Sequence, residues 1–155
     1  SITIYVPENA KLSRINLDMG AGNVEISNIE AANIDFSFGA GNVNIKNLKS
    51  ENPTIDCGAG QIKFENTELT NAKLSAEVGK VIYSGQLNGE SRIECGVGEV
   101  EMNLEGGIDN YSIKVKKGIG NIKINKESVN NDSTTGNGQN KIYIDGGVGD
   151  IDIKI

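Results

Sequence analysis

Two cysteines (Cys57 and Cys95), twenty-one carboxylates, fifteen Lys and Arg and no histidine make up the reactive inventory of this 155-residue chain. Without an imidazole, His-dependent triads, His-ligated zinc and most general acid–base catalysis are excluded. The cysteines form no Cys-x-x-Cys motif and have no third ligand, so they read as small buried apolar residues and not as a metal or redox site. Carboxylates do pair at alternate positions, Glu99 with Glu101 and Asp150 with Asp152. On one strand face such pairs stand ~7 Å apart, a separation compatible with glycoside hydrolysis. Polar residues recur at those positions along the whole chain, however, with no aromatic platform and with Arg14 and Arg92 as the only guanidinium donors. A full catalytic constellation is missing, so the chain is expected to be non-enzymatic, with no cofactor and no metal.

The glycines invite two further chemistries. A Gly-x-Gly can open a dinucleotide-binding loop, but that needs a third glycine and a following helix, and here a strand-like alternation follows each time. Gly146-Gly147-Val148-Gly149-Asp150 begins like a calcium-binding nonapeptide, whose aspartate belongs at the sixth position, held here by Ile151. Asp150 is therefore expected to be a corner residue stacked under the equivalent Asn121. A formal charge of -6, spread along the chain, gives no footprint for DNA or RNA, and no nucleic-acid partner is expected. The densest basic run, Lys114, Lys116 and Lys117, alternates with Ile113 and Val115 and reads as the solvent face of a strand.

The elements that position these residues come from a repeat. Gly-x-Gly-polar-(Val/Ile)-x-apolar occurs as Gly20–Ile26, Gly39–Ile45, Gly58–Phe64 and Gly96–Met102, with variant copies at Glu77–Tyr83, Gly118–Ile124 and Gly147–Ile153. The copies start at 20, 39, 58, 77, 96, 118 and 147, so four steps of 19 are followed by 22 and 29. Aligned, they keep apolar residues three before the first glycine (Leu17 to Ile144), one after it (Ala21, Ala40, Ala59, Val78, Val97, Ile119, Val148), four after it and six after it. All four columns are expected in the core. Polar residues alternate between them, which is the period of half-buried strands. The inward phase changes at the second glycine, where a corner or bulge needs positive φ or close backbone approach.

An all-β fold follows. The fixed register favours a right-handed parallel β-solenoid, β-helix-like, of about seven coils of about 19 residues, because neighbouring coils then superpose equivalent residues. Residues 1–155 form a single domain, 1–10 a leading strand or cap, and 126–140 a corner loop insertion. That insertion accounts for the long last step, and its composition is that of a solvated loop. Asn130, Asn131, Asp132, Thr134, Thr135 and Asn137 are its candidate recognition residues, since loops on rigid scaffolds often carry binding. Deleting 128–138 is expected to leave stability nearly unchanged. The closing Ile151–Ile155 stops in mid-pattern, which suggests self-association through the terminal coil.

The pattern Ile2-x-Ile-x-Val6-Pro7, then Leu12 and Leu17, then Gly-x-Gly-x-Val-x-Ile units joined by links such as Asn28-Ile29 and Asn47-Leu48, resembles a bacterial adhesin family of β-strand repeat proteins of unknown function. The resemblance covers essentially the whole chain. It implies a β-helix-like fold at the cell envelope or outside the cell, with membrane attachment only through an anchor outside this chain. It transfers no catalytic or binding residue. Two functions are expected from it: a cell-surface structural or adhesive module that meets a protein or glycan, or alternatively a regulatory sensor domain of a bacterial envelope-stress system.

Overall fold

The structure, a computed structural model, describes residues 5–155. Of the expected leading strand, Ile2 to Ile4 lie outside the described residues. Tyr5 and Val6 are exposed and belong to no strand. Nine strands and one short 3-10 turn follow: β1 Lys11–Thr70, β2 Lys73–Asn88, β3 Glu90–Leu104, the turn Ile108–Asn110, β4 Tyr111–Ile119, β5 Ile122–Ile124, β6 Glu127–Ser128, β7 Ser133–Thr135, β8 Asn140–Val148 and β9 Ile151–Lys154.

β1 carries three repeat copies without a break because its corners are made inside extended backbone. The second glycine of each copy takes positive φ, +132° at Gly22, +133° at Gly41 and +118° at Gly60. Asn28, Asn47 and Asn66 supply a second bend at φ 59°, 53° and 51°, a region that asparagine tolerates better than other side chains. These asparagines also bond one another: Asn47 Nδ2 donates to Asn28 Oδ1 at 2.8 Å and Asn66 Nδ2 to Asn47 Oδ1 at 2.7 Å. The glycines are needed for a second reason. A Cβ at Gly41, Gly60, Gly79 or Gly98 would collide with the carbonyl oxygen of the equivalent glycine in the adjacent row.

Equivalent residues stand side by side. Ile55 pairs with Leu74, Gly60 with Gly79 and Ile62 with Val81 in parallel between β1 and β2, and the register repeats between β2 and β3. The columns three before, four after and six after the first glycine fill one core, which includes Phe36, Ile55, Val81, Tyr83, Ile93, Met102, Ile144 and Ile153. Phe64 and Tyr83, adjacent in their column, have ring centroids 5.5 Å apart. Burial at about 25 cal/mol per Å² makes this core the main favourable term, shared among rows that could not bury it singly.

The sheet as a whole overturns the expectation of a right-handed parallel β-solenoid. It is a mixed sheet curled into a half-barrel, with strand order β6-β5-β9-β3-β8-β4-β7 and antiparallel pairs β4–β7 and β5–β6. The rows also leave sequence order. The copy at 147, made by β8 and β9, lies between the copy at 96 and the copy at 118: Ile93 pairs with Ile144 and Val100 with Ile151 on one side, Val115 with Ile144 and Ile122 with Ile151 on the other. The irregular steps make this possible. Gly106, Gly107 and the 3-10 turn carry the chain past one vacant row, and residues 126–140 bring it back to fill that row. β9 is therefore paired on both edges, with β3 on one side and β5 on the other.

Candidate functional site

The corner of each repeat is where the structure departs from the expected core. Ala21, Ala40, Ala59, Val78, Val97, Ile119 and Val148 are all exposed. Val78 keeps 54% of its surface, Val97 50%, Val148 47% and Ile119 70%, so this column is outside the core. The physical reason is the apex. The interior side chains leave from −1 and +4 relative to the first glycine, and the chain turns between them. A side chain at the apex of a convex corner has no interior volume to enter.

Stacking converts the seven corners into one ridge. Ala59 stands beside Val78, Val78 beside Val97, Val97 beside Val148 and Val148 beside Ile119. At 4.7–4.9 Å per row the ridge runs ~29 Å, and its β-branched half ~14 Å. It grows from alanines at one end to isoleucine at the other. Glycines flank it on both sides, at every row on the far flank and at every row but that of Val78 on the near one, where Glu77 takes the place of the first glycine. Beyond the glycines lie polar columns, in which Lys80 bridges Glu99 at 3.1 Å and Glu101 at 2.7 Å. Those two bonds raise the lysine's pKa from its ordinary value. Contiguous exposed apolar surface with a polar border marks an interaction site.

The other candidate residues are placed as follows. Glu99 and Glu101 are held by Lys80. Asp150 accepts from the Asn121 backbone N–H at 2.8 Å and its Nδ2 at 3.3 Å, which is the stacked corner expected of it. Cys57 and Cys95 are free and buried, each in register with Ala76 between them, and burial pushes both thiols up from their ordinary pKa. Lys114 and Lys116 do face solvent, but Lys117 does not: it is buried, and its Nζ donates to the Gly149 carbonyl at 2.6 Å. The in–out alternation of β4 continues past Lys116 and so places Lys117 in the inward column of Cys57 and Cys95.

Residues 126–140 are a folded flap. β7 pairs with β4, placing Thr134 beside Lys114 and Thr135 beside Ile113. Asn131 Oδ1 accepts the Lys117 backbone N–H at 2.8 Å, and Asp132 lies 3.4 Å from Lys114 Nζ. The Asn130 carbonyl accepts Ser133 Oγ at 2.5 Å, and Asn137 is exposed. Four of the six candidates, Asn131, Asp132, Thr134 and Thr135, thus lie against β4. A shallow cleft of about 180 Å³ opens between this flap and the last corner, lined by Lys117, Gly120, Asn121, Ser128, Val129 and Asn131.

The corner ridge was the feature that sequence reasoning missed, although its signal was present. An apolar column enclosed by two glycine columns, at the point where the inward phase changes, sits on the turn and not on a flat face.

A family model matches residues 1–154, and the chain belongs to that family, Toastrack DUF4097, whose function is unknown. No curated protein matches the chain, and no solved structure matches it.

Proposed function

We propose that this chain is a non-enzymatic binding module of the bacterial cell envelope, structural or adhesive, which docks a protein partner along its corner ridge. The observation that carries the reading is the register of Val78, Val97, Val148 and Ile119, four exposed β-branched side chains in adjacent rows. The three valines are already about half covered and Ile119 less so, so burying the rest of each would add roughly half of the ~1.5–3 kcal/mol of a full burial, and more at Ile119. A rigid stack presents them without an ordering cost, which favours association. The ridge carries no donors, acceptors or rings, so it suits an apolar protein surface better than a glycan. The envelope setting comes from the resemblance to adhesin-labelled repeat proteins.

The test is a photo-crosslinking residue at Val97 in bacterial cells producing the protein. The expected result is a discrete protein adduct that disappears when Val148→Asp and Ile119→Asp are added. No adduct, or one indifferent to those changes, would remove the ridge from the function.

A further inference from the structure

We infer that the ridge takes a cationic amphipathic helix of about three turns; this rests on the docking reading above and adds the partner's chemistry. The first argument is spacing. Ridge side chains follow one another at ~4.8 Å per row. A helix offers a side chain on one face every i+3 or i+4, a mean step of ~5.3 Å. Over the three steps from Val78 to Ile119 the mismatch is only ~1.3 Å. An extended strand repeats its face every ~6.8 Å, so it would drift by ~6 Å over the same distance. Of the two regular conformations of a single peptide, the helix is the one that meets the ridge nearly residue for residue.

The second argument is relief. Glycines beside the ridge, Gly96, Gly147 and Gly118 on one flank and Gly79, Gly98 and Gly149 on the other, leave room for the side chains straddling the helix's apolar stripe, and in the row of Val78 Glu77 replaces the first glycine and places a carboxylate against that stripe. The third is charge. Glu77, Glu94, Glu99, Asp145 and Asp150 border the β-branched half of the ridge, against Lys80 and Lys116. Glu94 is paired with Arg92 at 3.5 Å and Glu99 with Lys80 at 3.1 Å. Among the described residues, Glu77, Asp145 and Asp150 have no ion-pair partner. A helix carrying Lys or Arg beside its apolar stripe would supply the missing charges and be steered to the ridge.

The experiment uses three synthetic peptides of about five turns: a Leu/Lys amphipathic helix, the same composition scrambled, and a Leu/Glu helix. Binding to the whole protein is followed by fluorescence anisotropy and by backbone amide shifts. The Leu/Lys helix is expected to bind with shifts centred on Val78, Val97, Val148 and Ile119, and to weaken with salt. The scrambled and Leu/Glu peptides should bind at least about tenfold more weakly, as should the Leu/Lys helix to Val97→Asp, or to Glu77→Lys with Asp145→Lys, each ~1.4 kcal/mol or more. Thermal melts show that the variants remain folded. No binding, equal binding of the scrambled peptide, or shifts away from the ridge would overturn the inference. If the Val97 adduct forms in cells while these peptides fail, docking stands and the helix does not. Peptide binding without an adduct leaves the ridge chemistry in place and removes the cellular role.

Discussion

Val97 stands beside Val148, and not beside Ile119, although Ile119 belongs to the next repeat along the chain. Two engineered pairs test that order in a Cys57→Ala, Cys95→Ala background. Val97→Cys with Val148→Cys is expected to form a disulfide, because in-register neighbours lie ~4.8 Å apart and bridges need Cα atoms within ~7 Å. Val97→Cys with Ile119→Cys spans two rows, ~9.6 Å, and should stay reduced. Bridging of the second pair in place of the first, read by mass, would restore sequential rows.

The row order also marks the limit of what was legible in the residues. Column positions such as Ile55, Leu74, Ile93 and Ile144 reveal the period, the strand faces and the free cysteines, because each depends on local alternation and register. They say nothing about which row follows which. Ile93 packs equally well beside Ile144 or Val115, since selection keeps the column apolar in either case. The steps of 22 and 29 did record the irregularity, but chain length alone does not tell an excursion that returns from one that stacks outward. The outward placement of Val78 and Val97 is hidden in the sequence for a different reason: residue type reports apolarity, and the side on which an apex points depends on backbone path.

The native cysteines give a second check. Cys57 and Cys95 are two rows apart with Ala76 between them, and burial holds both thiols protonated at neutral pH. They are expected to react slowly with a thiol reagent in the folded protein and rapidly in denaturant. A fast-reacting native thiol would mean that the −1 column faces solvent.

Glycine substitution separates contact from conformation. A Cβ at Gly39 would collide with the Gly20 carbonyl, whereas one at Gly20 meets nothing within 4 Å among the described residues. Gly39→Ala is expected to cost about 2 kcal/mol or more in urea unfolding, and Gly20→Ala close to nothing. Gly98→Ala should cost most, since it adds a clash with the Gly79 carbonyl to a φ of +142°. Equal effects at Gly20 and Gly39 would show that the rows are not in this contact.

Asp56 provides a pH-dependent test. Partial burial raises its pKa, and the charges of Asp35 and Glu94 raise it further. A carboxyl raised on folding favours the native state while protonated, so its stabilising contribution is present below the ordinary carboxylate range and is lost as pH rises through the folded value. Asp56→Asn should therefore gain roughly 0.2–1 kcal/mol at pH 7, the size of a relieved like-charge pair, and gain nothing at pH 3. A gain that persists at pH 3 would assign the effect to something other than charge.

The flap 126–140 provides the last test, and its sign is opposite to that expected of a solvated loop. β6 and β7 close the outer edges of β5 and β4, Asn131 Oδ1 accepts the Lys117 backbone N–H, and Val129 packs against the core. Removing 128–138 would strip Asn131 from a buried lysine's backbone and leave the last row with an open edge, a template for aggregation. It would also shorten the path by which the chain returns from β5 to the row of β8. The deletion is expected to cost more than about 2 kcal/mol, within the range of lost hydrogen-bond networks, and to raise the tendency to associate. Asn131→Ala tests the single contact at about 1 kcal/mol, because it leaves one N–H without its acceptor. A deletion variant that melts like the parent and stays monomeric would show that the flap lies on the rows without holding them.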